Sequence, residues 1–149
     1  SGQELVRRFW EATCRGGYAS HGETYLHPQD ILWWSHGGEL HGESPERLKF
    51  LYNILCDVPG HGLKEYPLSW DSVTGVPESL AYQGDYYLDY YGFSRPSFRT
   101  FYFDETSKYQ VDIIDTWNMT ITDAGIHHGK FTIKLPGREY MAIRIRKIK

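Results

Sequence analysis

Lys-Phe-Thr-Ile-Lys-Leu-Pro-Gly-Arg-Glu-Tyr-Met-Ala-Ile-Arg-Ile (130–145) reads as two extended segments joined by a turn. Residues 130–135 alternate strictly and send Phe131, Ile133 and Leu135 to one side, the period of a strand with one buried face. Pro136-Gly137 breaks the chain, and 140–148 resume with Met141, Ile143 and Ile145 as a buried row. The same signals recur upstream. Tyr109, Val111 and Ile113 alternate with Gln110 and Asp112 and lead to Trp117, and 119–122 continue that strand or start another. Over 97–103, Phe101 and Phe103 oppose Phe98 and Tyr102, and 82–91 is aromatic and strand-like. Asp104-Glu105-Thr106-Ser107 has the composition of a hairpin turn, and His127-His128 beside Gly129 reads as a hairpin tip. The basic run 144–149 alternates with isoleucine, as an edge strand would. Five to seven short strands with turns between them predict an antiparallel β-sandwich over 80–149. Residues 64–79, with Pro67, Gly75 and Pro77, read as a connector.

Before residue 64 the period is helical. Residues 4–15 place Leu5, Val6, Phe9, Trp10 and Thr13 on one face, with Arg7, Arg8, Glu11 and Arg15 facing away. Gly16-Gly17 ends this helix, which begins without a strand or cap of its own. A second helix starts at Ser44 as N-cap, with Pro45 at the first helical position and Glu46 suited to the dipole. Leu48, Leu51, Ile54 and Leu55 form its apolar stripe, with Phe50 beside it, and 58–62 stop it. Between the helices, 18–25 reads as a short extended piece. Helix, strand, polar loop and helix give the cadence of an alternating α/β fold. One strand cannot make a sheet, so this portion is incomplete alone. The opening Ser-Gly-Gln is read as a fragment of a longer protein or a cloning remnant ahead of one.

The 149 residues suffice for one domain or a small domain with an appendage, and 40% hydrophobic content supports a packed core. A net charge of -3 argues against a nucleic-acid partner. No apolar run approaches a membrane span and no signal peptide is visible, so a cytoplasmic location is expected unless a signal lies upstream. Two cysteines, Cys14 and Cys56, make neither a disulfide framework nor a zinc pattern; free buried thiols are expected, with a single bridge between them as the alternative.

The chemistry concentrates in 21–43, which holds four of the seven histidines, two adjacent tryptophans and three glutamates. Flat rings to stack on, with carboxylates and imidazoles to bond hydroxyls, suit a polar, ring-shaped ligand such as a sugar. The competing view is a long ordered loop whose tryptophans only pack. His21 and Glu23 share one side of a strand and make a hydroxyl-binding pair or a structural pair at a strand end. Trp33 and Trp34 cannot face the same way in extended chain, so one stacks on ligand while the other packs beneath. A carboxylate pair from Glu23 with Glu39 or Glu43 is conceivable for glycoside hydrolysis, although nothing fixes its separation. Glu43 has a simpler role near a helix N-terminus. His21, His27, His36 and His41 match no closed zinc site. His21-x-Glu23 resembles a zinc-deaminase start, but the downstream Pro-Cys-x-x-Cys is absent. On the sandwich, Asp115, Trp117 and the tyrosines of 82–91 are candidates for sugar contact, against core and hairpin packing.

Several long motifs carry a resemblance. Arg-Phe-Trp-Glu-Ala-Thr-Cys-Arg-Gly-Gly-Tyr (8–18), His-Gly-Glu-Thr-Tyr (21–25), Trp-Trp-Ser-His-Gly-Gly (33–38) and His-Gly-Glu-Ser-Pro-Glu-Arg (41–47) resemble the end of a (β/α)8 barrel. The family is that of candidate glycoside hydrolases related to the apiosidase-like enzymes. Ile-Asp-Thr-Trp-Asn-Met-Thr-Ile (114–121) and 135–145 are similar to the β-sandwich of unknown function that follows that barrel. The resemblance implies that 4–15 is the seventh barrel helix, 18–25 the eighth strand and 45–57 the eighth helix. The polar stretch is then the last loop at the barrel's active face. It further implies that the catalytic carboxylates follow the fourth and seventh strands, upstream of residue 1.

The expected fold is therefore α+β, with an N-terminal αβα remnant of a (β/α)8 barrel over 1–63, then the antiparallel sandwich. The expected function is that of the C-terminal fragment of a glycoside hydrolase, inactive alone and without a cofactor or metal. His21, Glu23, Tyr25, Trp33, Trp34, His36 and His41 line one wall of the cleft. Expected partners are an oligosaccharide or glycoside and the rest of the parent barrel. The alternatives are a carbohydrate-binding module and a purely structural sandwich. Away from its barrel, the Phe9–Trp10 patch should dock onto the sandwich or drive self-association.

Overall fold

The structure, a computed structural model, describes residues 1–20, 42–60, 63 and 85–149. Helix α1 spans Gly2–Cys14 and α2 spans Ser44–Cys56. Six strands follow: β1 (Tyr86–Tyr90), β2 (Phe98–Tyr102), β3 (Tyr109–Asp115), β4 (Thr120–His127), β5 (Lys130–Lys134) and β6 (Met141–Lys147). The two helices and two antiparallel sheets fit the α+β class. Of the strand expected over 18–25, residues 18–20 are irregular with Tyr18 fully exposed, and 21–25 lie outside the described residues.

Both helices form where the apolar period places them, with differences at their ends. Helix α1 does carry a cap: the Ser1 hydroxyl accepts from the Glu4 amide at 3.4 Å, and Ser-x-x-Glu is a capping-box spacing. Gly16 takes φ +73° just past the helix end. Arg7, expected to face away, is largely buried between Glu4 and Glu11, with its guanidinium 4.6 Å from the Phe93 ring. In α2 the cap position belongs to Glu43, and Ser44 is the first helical residue, followed by Pro45. Leu51 and Ile54 are buried, and Leu48, Phe50 and Leu55 pack partly against the same core. Cys14 is buried but Cys56, the last residue of α2, is exposed, and no disulfide joins them.

The larger sheet has the order β1-β6-β3-β4 and the smaller pairs β2 with β5, all antiparallel. β6 is thus central, not an edge. The arginines that suggested an edge point to the helix-covered face. There Arg144 bonds Asp112 and Asp57, and Arg146 also reaches Asp112. The turn at 104–107 is a crossover between sheets rather than a hairpin, because β2 and β3 lie in different sheets. The same holds for 127–130, where His127 still belongs to β4. The only hairpin among the described strands joins β3 to β4.

Register aligns three rows on the helix side of the sheet: Tyr86/Arg146/Gln110, Leu88/Arg144/Asp112 and Tyr90/Ala142/Ile114. Val6, Trp10, Cys14, Leu51 and Ile54 pack on this face. Trp10 has no exposed surface and lies 5.3 Å from the Tyr90 ring. It docks on the sheet, while Phe9 is half-buried. The opposite face buries Val111, Met141, Ile143 and Ile145 against Phe101, Phe131, Ile133 and Leu135 of the small-sheet side. Arg99 of β2 approaches Asp89 of β1 within 3.9 Å across this gap. Each buried aliphatic side chain contributes roughly 1.5–3 kcal/mol, so a sheet covered on both faces is the stable centre of the molecule.

Candidate functional site

His21, Glu23, Tyr25, Trp33, Trp34, His36 and His41 all lie outside the described residues, as do His27 and Glu39. Glu43 is described, and its backbone carbonyl accepts from Arg47 at 2.6 Å. Of the tyrosines in 82–91, Tyr86, Tyr90 and Tyr91 are core residues. Burial pushes the Tyr86 hydroxyl up to about 12 and raises Tyr90 further. Among the described residues no group of three or more His, Cys, Asp or Glu could hold a metal ion. Among the same residues no helix is long and apolar enough to cross a membrane.

Asp115 and Trp117 belong to a cleft of about 370 Å³ at one end of the sandwich. Three connections build it: residue 95 between β1 and β2, the β3–β4 turn, and 137–140 between β5 and β6. Asp115 is buried and organises the turn. Its Oδ1 accepts from the amides of Trp117 (3.2 Å) and Asn118 (2.9 Å), and its Oδ2 accepts from Asn118 Nδ2 (2.8 Å). Arg138 reaches the same Oδ2 at 2.6 Å from a largely exposed position. Trp117 is held from below by Arg47, whose guanidinium lies 3.8 Å from the indole centroid and donates to the Trp117 carbonyl at 2.8 Å.

Tyr140 faces Trp117 with ring centroids 6.5 Å apart. Its backbone sits at φ +62°, a left-handed conformation that costs a non-glycine residue about 1–2 kcal/mol. Three hydrogen bonds hold it there. The Tyr140 amide donates to the Gly92 carbonyl, and its carbonyl accepts from both the amide and hydroxyl of Thr116. Arg95 clamps Glu139 through Nε (3.2 Å) and Nη2 (2.6 Å), which raises the arginine's pKa. The result is two aromatic rings flanked by two guanidinium–carboxylate pairs. Arg95, Arg138, Glu139 and Tyr140 were not singled out from sequence. The one hint was Pro136-Gly137 followed by three polar or aromatic residues, a turn richer in chemistry than turning requires.

A second concavity, about 410 Å³, runs between α1 and α2 and is lined by Phe9, Leu48, Leu51, Leu55 and Val58 among others. It is apolar, without convergent charged groups among the described residues.

No curated protein sequence matches the chain. Two solved structures share its fold. A candidate glycoside hydrolase from Bacteroides vulgatus is 28% identical with a TM-score of 0.77, covering 99% of this chain and 32% of that one. A protein named as a glycoside hydrolase is 10% identical with a TM-score of 0.71, covering 98% and 37%. The chain thus spans about a third of the length of these structures. A family profile matches residues 70–146, more than half of the chain and all of the strands from β1 to β5. This chain belongs to the family described as Domain of unknown function (DUF5605).

Proposed function

We propose that this chain is the C-terminal part of a longer glycoside hydrolase of the apiosidase-like barrel type. The observation that supports it best is the match of nearly the whole chain, at 28% identity, to a third of a candidate glycoside hydrolase. On this reading, α1 and α2 close the barrel, and 21–41 forms one wall of its sugar cleft through His21, Glu23, Tyr25, Trp33, Trp34, His36 and His41. The carboxylates that cut the bond lie on the rest of the parent. One protonates the glycosidic oxygen as its C–O bond breaks; the other drives the addition of water at the anomeric carbon, directly or through a glycosyl-enzyme. The apolar groove between α1 and α2 supports the same reading, because a further layer of the parent would cover Phe9, Leu48 and Leu55.

The test compares two proteins on a panel of aryl glycosides. The 149-residue chain should turn over none, and the parent enzyme should hydrolyse at least one. In the parent, Trp33→Ala and Trp34→Ala should raise KM. Turnover by the chain alone would refute the placement of the carboxylates; an inactive parent would refute the reaction.

A further inference from the structure

We propose that the cleft framed by Arg95, Trp117 and Arg138–Tyr140 is a second, independent binding site for a short, neutral saccharide. Its volume of about 370 Å³ lies within the range of small-ligand sites. The lining mixes two kinds of surface in the proportion a sugar presents. A pyranose or furanose has an apolar C–H face and a rim of hydroxyls, each both donor and acceptor. The Trp117 and Tyr140 rings offer the C–H face a polarisable wall. At the rim, Arg95 beside Glu139 places N–H donors next to a carboxylate acceptor, and Arg138, anchored on the buried Asp115, adds further N–H donors. Adjacent hydroxyls of one sugar can bridge such a pair, donating to the carboxylate and accepting from the guanidinium.

Charge decides the class of sugar. Two guanidiniums meet two carboxylates, so the cleft is balanced, and each cation is already committed to an anion. A phosphate or uronate would have to displace Asp115 or Glu139 from its arginine, whereas a neutral hydroxyl has only to share Glu139 and the outward N–H groups of Arg95 and Arg138. An apolar ligand would strip water from Arg95, Arg138 and Glu139 without replacing its hydrogen bonds.

The cleft is also fixed before any ligand arrives. Asp115 makes three hydrogen bonds within its own turn, Thr116 grips the Tyr140 carbonyl twice, and Arg47 stacks beneath Trp117. The left-handed backbone at Tyr140 lies at the cleft lip, where such strain persists only if its surroundings over-determine it. Rings and charged pairs held in this way lose little entropy on binding. The ligand class is supported by the function proposed above, but the geometry is separate from residues 21–41.

The experiment is an NMR titration of the isotope-labelled chain with neutral xylo-, manno-, cello-, galacto- and arabino-oligosaccharides, and with a glucuronate-bearing oligosaccharide. At least one neutral member should bind with a Kd of about 1 mM or tighter, shifting the Trp117 indole N–H and the Arg138 Nε–H. Arg95→Ala and Arg138→Ala both alter largely exposed side chains. Each should weaken binding about tenfold, a loss of roughly 1.4 kcal/mol. Failure of every neutral member to bind, or binding by the acidic sugar alone, overturns the proposal. Shifts confined to 21–41, with Trp117 and Arg138 unmoved, overturn this site and leave the proposed function standing. Shifts at Trp117 alongside an inactive parent would do the reverse.

Discussion

Asp112 on β3 and Arg144 on β6 occupy one register position on the helix-covered face of the large sheet and meet twice at the same oxygen. Nε and Nη2 of Arg144 lie 2.9 and 2.8 Å from Asp112 Oδ2, and both side chains are buried. The pair sits under the C-terminal end of α2, where Asp57 is 3.4 Å from Arg144 Nη1. Asp112→Ala leaves a buried guanidinium facing only this exposed carboxylate among the described acidic groups, and should cost about 3–5 kcal/mol. Arg146→Ala removes a half-exposed partner and should cost about 1 kcal/mol or less. Asp112→Leu with Arg144→Met should regain most of the stability, because the desolvation cost goes with the charges. Urea unfolding midpoints of the four proteins check the order.

Among the described residues Trp10 is the largest fully buried side chain, and it ties α1 to the sheet at Tyr90. Trp10→Ala should destabilise by about 3–5 kcal/mol, the cost of lost burial plus the cavity left behind. Hydrogen exchange should show α1 amides losing protection before those of β3 and β6. Equal loss in all three would mean that helix and sheet unfold as one unit.

Stability should fall at both ends of the pH scale for different reasons. Glu4 is held down to about 2 by its hydrogen bonds to Arg7 and Arg8, and Asp104 is held lower still by Thr106 and Ser107. A carboxylate whose folded pKa is depressed stabilises above its unfolded value, near 4, and that contribution disappears as pH falls through the folded value. Thermal midpoints should therefore drop steadily from about pH 4.5 to about pH 2, and Glu4→Gln should flatten part of that slope. Tyr86 is shifted the other way, up to about 12 by burial. Its neutral form is favoured in the fold, so stability is full below about pH 10 and is lost as pH rises towards 12. Tyr86→Phe should lessen the alkaline loss, read by tyrosinate absorbance, and cost about 1 kcal/mol or less at neutral pH.

Gly137 sits at φ +64° with open space where a Cβ would stand. Gly137→Ala should thus cost about 1 kcal/mol from backbone conformation alone. Gly129→Ala, at φ +56°, meets the Glu105 carboxylate as well. It should cost more than Gly137→Ala, and Glu105→Ala should remove the excess. Calorimetry on Gly137→Ala, Gly129→Ala, Glu105→Ala and the Gly129→Ala/Glu105→Ala double variant separates backbone strain from contact.

The strands were legible because alternation is a local signal: Phe131, Ile133, Met141, Ile143 and Ile145 are buried as their period requires. Their partners were not, because pairing is non-local. Asp104 makes a tight turn, accepting from the amides of Thr106 and Ser107, whether the next strand folds back or crosses to another sheet. Arg144 was misplaced for a related reason. An arginine between isoleucines looks like a solvent-facing position until helices cover it and Asp112 neutralises it. At the cleft, Trp117 and Asp115 stood out as an aromatic and an acid in one turn. Arg95 and Glu139 did not, since their 44-residue separation closes only through the sheet order.

Four of the five links between successive strands change sheet, and β1 and β6 become neighbours from opposite ends of the strand-bearing half. A chain wired this way must close long loops before most contacts repay the lost freedom, so it should assemble slowly, in milliseconds to seconds rather than microseconds. The β3–β4 ribbon can zip locally, but its broadest contact surface waits for β6, the last of these six strands to be synthesised. Synthesis and completion of the large sheet are therefore coupled, and until β6 emerges the paired faces of β1 and β3 have no central strand between them.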